Sequence, residues 1–395
     1  MNRRAGLDLI VIGGGVVGTT AALAAARDGL RVALVEAHPP QAWREDEPDL
    51  RVFAIAPDAL AMFEDLGVGA SIRAARAHAY RRMRVWDAAG GGELVFDADR
   101  LGQPCLGRII ENRLLVDRLW AACQAEANVE LHCPARLQGV EQDDSGVRAQ
   151  LDDGRELSAR LLLGTDGGAS RVRSLCGIDT DVHDYRQRGL VAYVGTERPH
   201  EDTAWQRFLP TGPLAFLPFS DGRCSIVWSL PTEEAERLLA VDEARFRQEL
   251  ARGFDARLGE ITSVSARAAF PLRRQLAKAY VHGRVLLAGD AAHVVHPLAG
   301  QGVNLGLRDV AALRRLWREA GERGVAFDTP HRLARWERER RSDVTVSALG
   351  FETINRVFSN DAMLPTFLRG HLLGLAGRLP PVVRGLWRRA AGQAE

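Results

Sequence analysis

Gly13, Gly15 and Gly18 stand in the spacing Gly-x-Gly-x-x-Gly, between an apolar run and an alanine-rich one, and Glu36 closes the next apolar run. The arrangement suits binding of a dinucleotide. Gly13 permits a tight turn, Gly15 lets main chain approach a pyrophosphate, and Gly18 allows a helix to pack closely on a strand. The N-terminus of that helix faces the phosphate charge. Glu36 is placed to bind ribose hydroxyls, and a carboxylate there disfavours a 2′-phosphate. A glycine-rich turn without a ligand is the alternative; strand, helix and acid together favour the nucleotide. The motif alone does not separate NAD from FAD.

A second motif, Gly164-Thr165-Asp166-Gly167-Gly168-Ala169-Ser170-Arg171-Val172-Arg173, follows another apolar run. Two readings stand side by side here: a part of the cofactor site, or a helix-capping turn with Ser170 or Asp166 as the cap. The third motif is Gly289-Asp290-Ala291-Ala292-His293, continuing through His296-Pro297-Leu298-Ala299-Gly300-Gln301-Gly302-Val303-Asn304. An aspartate at the end of a buried strand can hydrogen-bond a polyol such as ribitol. Gly300 and Gly302 let main chain press against a flat ring. A helix starting near Asn304 directs its positive end at that ring, which suits a reduced flavin with negative charge at N1 and C2=O. His293 and His296 invite a metal reading, but no carboxylate or cysteine sits at ligand spacing, and no metal is expected.

The elements that must hold these motifs are legible in the pattern of apolar residues. Residues 8–12 read as a buried parallel strand, 15–27 as a helix stopped at Gly29, and 31–35 as a second strand, together a β-α-β unit of a doubly wound sheet. Helices are expected over 59–66 and 113–127, and strands over 129–132, 147–151 and 161–164, with Asp152-Asp153-Gly154 as a turn. The character changes after Gly177. Short strands at 189–195, 205–209, 214–219 and 224–230 read as an antiparallel sheet, followed by helices at 233–239 and 243–254 and a strand near 264–270. Residues 285–288 are again a continuous apolar strand, and helices dominate from Leu305. Residues 214–219 and 226–230 are read either as a substrate-facing wall or as core.

With 395 residues, the chain is long enough for two or three domains, or for one large α/β core with an inserted subdomain. Fifty-two basic against 51 acidic residues leave a net charge of +1, which argues against nucleic acid as a partner. All basic residues but Lys278 are arginine, so arginine clusters are discounted as functional signals. Cys105, Cys123, Cys133, Cys176 and Cys224 form no C-x-x-C pair, which supports neither zinc nor a disulfide framework and fits a reducing compartment. Residues 1–6 are read as leaving no room for a signal or transit peptide, and no run approaches the length of a spanning helix. A cytoplasmic protein, peripheral to a membrane at most, is expected.

The three motifs, in this order and with an antiparallel block between the second and third, resemble the single-component FAD-dependent aromatic hydroxylases over nearly the whole chain. The run His296-Pro-Leu-Ala-Gly-Gln-Gly-Val-Asn-Leu-Gly306 is similar to the signature of their ubiquinone-biosynthesis branch. Arg51-Val52-Phe53-Ala54-Ile55 fits a segment of that branch, with Phe53 where serine is usual, and Ile110-Glu111-Asn112-Arg113 fits its helix-entry motif. Pro199-His200, Leu214-Ala215-Phe216-Leu217-Pro218 and Cys224-Ser225-Ile226-Val227-Trp228-Ser229-Leu230 look closest to 2-polyprenylphenol hydroxylases acting at ring C5, with C6-hydroxylating benzoquinol relatives nearly as similar.

The resemblance implies an α/β fold: a Rossmann-type FAD-binding domain over 1–177 and 276–330, an antiparallel-sheet substrate domain over 178–275, and a helical region over 331–395. It implies FAD as cofactor, NAD(P)H as co-substrate, and O2 as the source of the oxygen placed on a polyprenylated phenol or quinol ring. Gly13, Gly15, Gly18, Glu36, Arg51, Arg113, Asp166 and Asp290 are carried over as FAD contacts, and Pro297, Gly300, Gln301, Gly302 and Asn304 as the wall against the isoalloxazine. No catalytic side chain is assigned. Asp166-Gly167 is implicated in the transient binding of the nicotinamide. Hydroxylation at C6 or C1, or a non-catalytic flavin-binding scaffold of a quinone-synthesis complex, are the alternatives. The absence of Trp-x-Trp-x-Ile-Pro and of a redox cysteine pair disfavours halogenases and disulfide reductases. Residues 364–392 carry Arg369, Arg378, Arg384, Arg388 and Arg389 without an acid, and are read either as an element touching anionic lipid at the inner membrane or as a tail packed on the main domain. Other ubiquinone-biosynthesis proteins are candidate partners.

Overall fold

The computed structural model describes residues 6–88, 92–295, 301–358 and 380–392. The apolar run at the start forms the strand Leu7–Ile12, buried from Leu9 onward. It lies between Val32–Val35 and Glu156–Gly164, parallel to both, with Ile10 opposite Ala33 on one side and Leu162 on the other. Being covered on both faces, these strands are continuous in Val, Ile and Leu and show no alternation. The sheet continues outward to Val129–His132 at one edge and through Val285–Leu287 to Val281–His282 at the other. Val147–Leu151 and Leu137–Gln142 add an antiparallel extension to Glu156–Gly164, which starts earlier than the 161–164 expected.

The helix Val16–Arg27 is buried over most of its length, and its alanines let it sit against the helices Asn112–Ala125 and Gln301–Glu322. It ends before Gly29, whose φ of +89° is the left-handed conformation expected for a residue that stops a helix. Just before that glycine, the Asp28 carboxylate accepts hydrogen bonds from Arg314 and Arg318 and from the Trp317 indole, fixing the late helix Gln301–Glu322 to the first.

A second sheet of nine strands runs in the order His293–Val294, Ala268–Ala277, Thr180–Thr196, Cys224–Pro231, Gly212–Pro218, Thr203–Leu209, Arg82–Asp87 and Glu93–Asp97, with Ile261–Val264 alongside Thr180–Thr196. Its middle is the antiparallel block read from the sequence. Its edges are not. Arg82–Asp87 pairs in parallel with Thr203–Leu209 (Met83 opposite Ala204), so residues assigned to 1–177 belong to this sheet, and His293–Val294 joins the opposite edge through Gln275 and Val294. The division at 177/178 and 275/276 therefore does not follow the sheets. Period-2 alternation identifies a strand but not its partner, and pairing across more than a hundred residues leaves no local trace. Thr180–Thr196 is also far longer than the 189–195 expected, because its charged first half is largely exposed and pairs only with Ala268–Ala277.

One face of this sheet is closed by the helices Thr232–Ala240 and Glu243–Gly253: Phe246, Leu250 and Phe254 pack on Leu214, Phe216, Ile226 and Trp228, with the Phe216 and Phe254 rings stacked at 3.8 Å. The other face is left for a cleft. A small third sheet, Val52–Ile55, Gly107–Glu111 and Ala77–Tyr80, packs on it through Ala54, Ile109, Tyr193 and Phe219. The long helices Gln301–Glu322 and Pro330–Phe358 follow as expected. In the final helix, Pro380–Ala390, Trp387 is turned inward beside Ala98 and Leu106 while Leu386 is exposed. Among the described residues no helix is long and apolar enough to cross a membrane.

Candidate active site

A cleft of about 1260 Å³ runs from the glycine turn of the first sheet to the open face of the second. At its nucleotide end the three glycines do different jobs. Gly13 has a φ of +106°, and a Cβ there would come within 2.6 Å of the Thr165 carbonyl oxygen. A Cβ on Gly18 would lie 1.9 Å from the Gly13 oxygen, so only glycine lets the helix start this close to the turn. Gly15 has nothing within 4 Å of such an atom: it opens on the cleft, and no side chain caps the helix it precedes. The first N–H groups of Val16–Arg27 are thus left for an anionic ligand, as a pyrophosphate requires.

Glu36 lines the cleft from the end of its strand, held by the N–H groups of Gly14 (2.5 Å) and His38 (3.0 Å) on its two oxygens. The second motif caps a helix and also borders the cleft. Asp166 accepts from the Ser170 hydroxyl (2.6 Å) and from the N–H groups of Arg171 and Val172 (2.6 and 3.1 Å), and Ser170 caps the helix Arg171–Leu175, yet Asp166 and Gly167 also line the cleft. Arg51 reaches the cleft with its guanidinium 5.2 Å over the Phe53 ring. Arg113 is not among the lining residues: its guanidinium lies 3.6 Å from Glu47.

The third motif turns at Gly289–Ala291, a single turn of 3₁₀ helix entered through Gly289 at φ +59°. Asp290 faces the cleft, and its carboxylate takes no hydrogen bond from any described residue. Gly302, with open space where a Cβ would be, and Val303 line the cleft at the start of Gln301–Glu322. Pro297 and Gly300 lie outside the described residues, as does the side chain of Gln301. Asn304 does not line the cleft. Fully buried, it donates to the Ala54 carbonyl (2.8 Å) and accepts from the Ala56 N–H (2.9 Å), fastening the helix to the small sheet that carries Arg51 and Phe53. Asn304→Leu strands two buried main-chain groups and is expected to cost about 2–4 kcal/mol in denaturant unfolding.

Sequence reasoning missed what holds the third motif. His293 is fully buried, with Nε2 2.7 Å from Asp309, and the same Asp309 oxygen accepts the Gly289 N–H at 2.9 Å. The other oxygen accepts from Arg340 Nε at 2.8 Å. Burial alone would raise the Asp309 pKa; the neighbouring His293 and Arg340 outweigh it and hold the carboxyl below the usual carboxylate range. A histidine in the motif was the one visible signal; its acidic partner comes from one helix and the arginine from the next. A separate cluster, His78, His200 and Asp202, brings its ligand atoms within 4.8 Å of one another, but the His200 ring is already engaged by the Phe219 carbonyl and the Asp202 N–H.

On the sheet side of the cleft, alternation divides the residues between the two functions left open above. Pro213, Ala215 and Leu217 face the cleft while Leu214 and Phe216 enter the core; Val227 and Ser229 face it while Ile226, Trp228 and Leu230 do not.

Residues 7–344 match the family described as FAD binding domain. The chain belongs to this family. It is 36% identical over 386 residues to the 3-demethoxyubiquinol 3-hydroxylase of Escherichia coli, covering 98% of each chain. It is 35% identical to the ubiquinone hydroxylase UbiL of Rhodospirillum rubrum (98% of this chain, 89% of the relative), and 32% identical to the human mitochondrial ubiquinone biosynthesis monooxygenase COQ6 (92% and 87%). The fold matches that of p-nitrophenol 4-monooxygenase from Pseudomonas putida, with a TM-score of 0.79 over 99% of both chains at 21% identity. The protein is an FAD-dependent aromatic-ring hydroxylase, with NAD(P)H as the co-substrate typical of this class.

The open cradle at Gly15 and Gly302, the uncapped helix start and the unpaired carboxylate of Asp290 fit FAD. Glu36 and Gly15 would hold its adenosine and pyrophosphate, and Asp290 its ribityl chain, with Gly302 and Val303 beside the ring. When bound, FAD supplies the activation of O2, which no protein side chain can provide. The residues of this chain would fix the groups in place, and the apolar residues that the second sheet turns to the cleft would limit water around them.

Proposed function

We propose that this hydroxylase places one oxygen atom of O2 on the ring of a polyprenylated phenol or quinol in ubiquinone biosynthesis. The ring C–H becomes C–OH, the second oxygen leaves as water, and NAD(P)H and a proton supply the two electrons and two hydrogens. The observation that carries this reading is the continuity of the cleft. The residues suited to FAD and the apolar sheet residues Met83, Ala204, Ala215, Leu217, Val227 and Leu272 line one space of about 1260 Å³. That is roomy for a flavin plus a ring with a greasy tail. The three relatives, all named for ubiquinone hydroxylation or biosynthesis, support the same pathway.

For the ring position, the segments at 199–200, 214–218 and 224–230 favour C5 of a 2-polyprenylphenol. The name of the Escherichia coli relative favours a second reading, a later step on a demethoxylated quinol. Mass spectrometry of quinone-pathway lipids after deletion of the gene separates them. Accumulated 2-polyprenylphenol with ubiquinone lost supports C5; an accumulated demethoxylated quinol supports the later step. An unchanged profile in a strain lacking compensating hydroxylases contradicts both.

The reading includes contact with the inner membrane, where such a substrate resides. In Pro380–Ala390, Arg384, Leu386 and Arg388 are exposed on a helix anchored by Trp387. Recovery of the protein wholly in the soluble fraction after gentle lysis would contradict that contact.

A further inference from the structure

Register on the nine-stranded sheet sets Gln206 opposite Ala215 and Ala215 opposite Val227, and all three line the cleft. Their chain neighbours Trp205, Phe216 and Ile226 contribute to the core beneath. Around Gln206 the wall is apolar, built from Met83, Ala204, Ala215 and Leu217. Gln206 is only 6% exposed, and among the described residues no hydrogen bond reaches its carboxamide. Gln275, also buried, shows the contrast: its amide donates to the Gly168 carbonyl at 2.7 Å.

A carboxamide offers two donors and an acceptor, and this one is open to the cleft rather than sealed in the core. A wall required only to be greasy is better served by leucine or methionine at this position. The geometry points to Gln206 as the specificity-determining residue that hydrogen-bonds the oxygen on the substrate ring. The amide accepts from a phenol O–H or donates to its oxygen, and so separates an oxygenated ring from a hydrocarbon of the same shape. This inference rests on the phenol or quinol reading above.

The test uses the FAD-loaded protein with two probes, 2-prenylphenol and prenylbenzene, and measures the Kd of each by titration. The wild type is expected to bind the phenol about 10-fold or more tightly than the hydrocarbon. Gln206→Met and Gln206→Leu are expected to lose that preference, weakening the phenol about 10-fold while leaving prenylbenzene unchanged. Both variants should retain FAD and melt no lower than the wild type, since an unpaired amide is being replaced by an apolar side chain on an apolar wall. A variant that melts lower, or that keeps the full preference for the phenol, overturns the assignment of Gln206 alone. A wild type that binds neither probe overturns the substrate reading, and this inference with it.

Discussion

Gly15→Val is expected to yield a folded protein that retains no FAD, whereas Gly18→Val is expected to yield a protein that barely folds. The two glycines are three residues apart and would be grouped together in any reading of the motif, but they meet different surroundings. A Cβ on Gly18 would stand 1.9 Å from the Gly13 oxygen and 2.5 Å from Thr165 Oγ1, and the nearer of these is main chain that cannot swing aside. Relief requires the helix Val16–Arg27 to move off the strand it packs on, at a cost of about 3 kcal/mol or more. Gly15 meets nothing within 4 Å, and its φ of −72° and ψ of −176° are open to valine. Replacing glycine by valine at this helix-capping position costs about 1 kcal/mol, well below the cost at Gly18. The branched side chain instead fills the space where a pyrophosphate must meet the helix start. Urea unfolding of the two apo-variants, and the flavin absorbance retained on purification, read these effects separately. Normal FAD content in Gly15→Val would contradict the placement of the phosphates.

Asp309→Ala is expected to destabilise the protein by about 3 kcal/mol, because it removes the fully buried carboxylate bonded to Arg340 Nε and leaves that arginine only the half-exposed Asp343. It also strands the Gly289 N–H and His293 Nε2, the two groups that set the turn presenting Asp290. FAD affinity should therefore fall together with stability, although Asp309 does not itself line the cleft. The pH dependence has a definite sign. The folded Asp309 carboxyl is held below its unfolded value by His293 and Arg340 against the effect of burial, so its contribution is fully present above the unfolded carboxylate range. It is lost as the pH falls through the folded value. The stability difference between wild type and Asp309→Ala should be largest near neutral pH and shrink under acid. A difference that grows on acidification would contradict the charged state assigned to this carboxyl.

The sequence made local chemistry legible and long-range pairing much less so. The turn Gly13 to Gly18, the acid at Glu36, the half-buried Asp290 and the opening at Gly302 are all consequences of residue type within a few positions, and each lies in the cleft. Arg113 and Asn304 sit beside motif residues too, but their side chains turn to Glu47 and to the Ala54–Ala56 main chain, and side-chain direction is not encoded in spacing. The alternation of Leu214 with Ala215 and of Ile226 with Val227 predicted two faces without saying which would be covered; the helices Thr232–Ala240 and Glu243–Gly253 decide it. Arg82–Asp87 was not read as part of the substrate sheet because its partner, Thr203–Leu209, lies far along the chain. Asp309 and Arg340 were invisible for the same reason: a buried ion pair joining two helices has no motif.

Central to all of this is the transfer of oxygen to a prenylated ring, and isotope labelling tests it most directly. The FAD-loaded protein is given NAD(P)H, 2-prenylphenol or a short-tailed demethoxylated quinol, and ¹⁸O-labelled O2, and the products are weighed by mass spectrometry. One labelled oxygen in the ring for each NAD(P)H consumed, with the other in water, is the predicted result. Consumption of NAD(P)H that yields hydrogen peroxide and leaves both rings unlabelled would contradict the account.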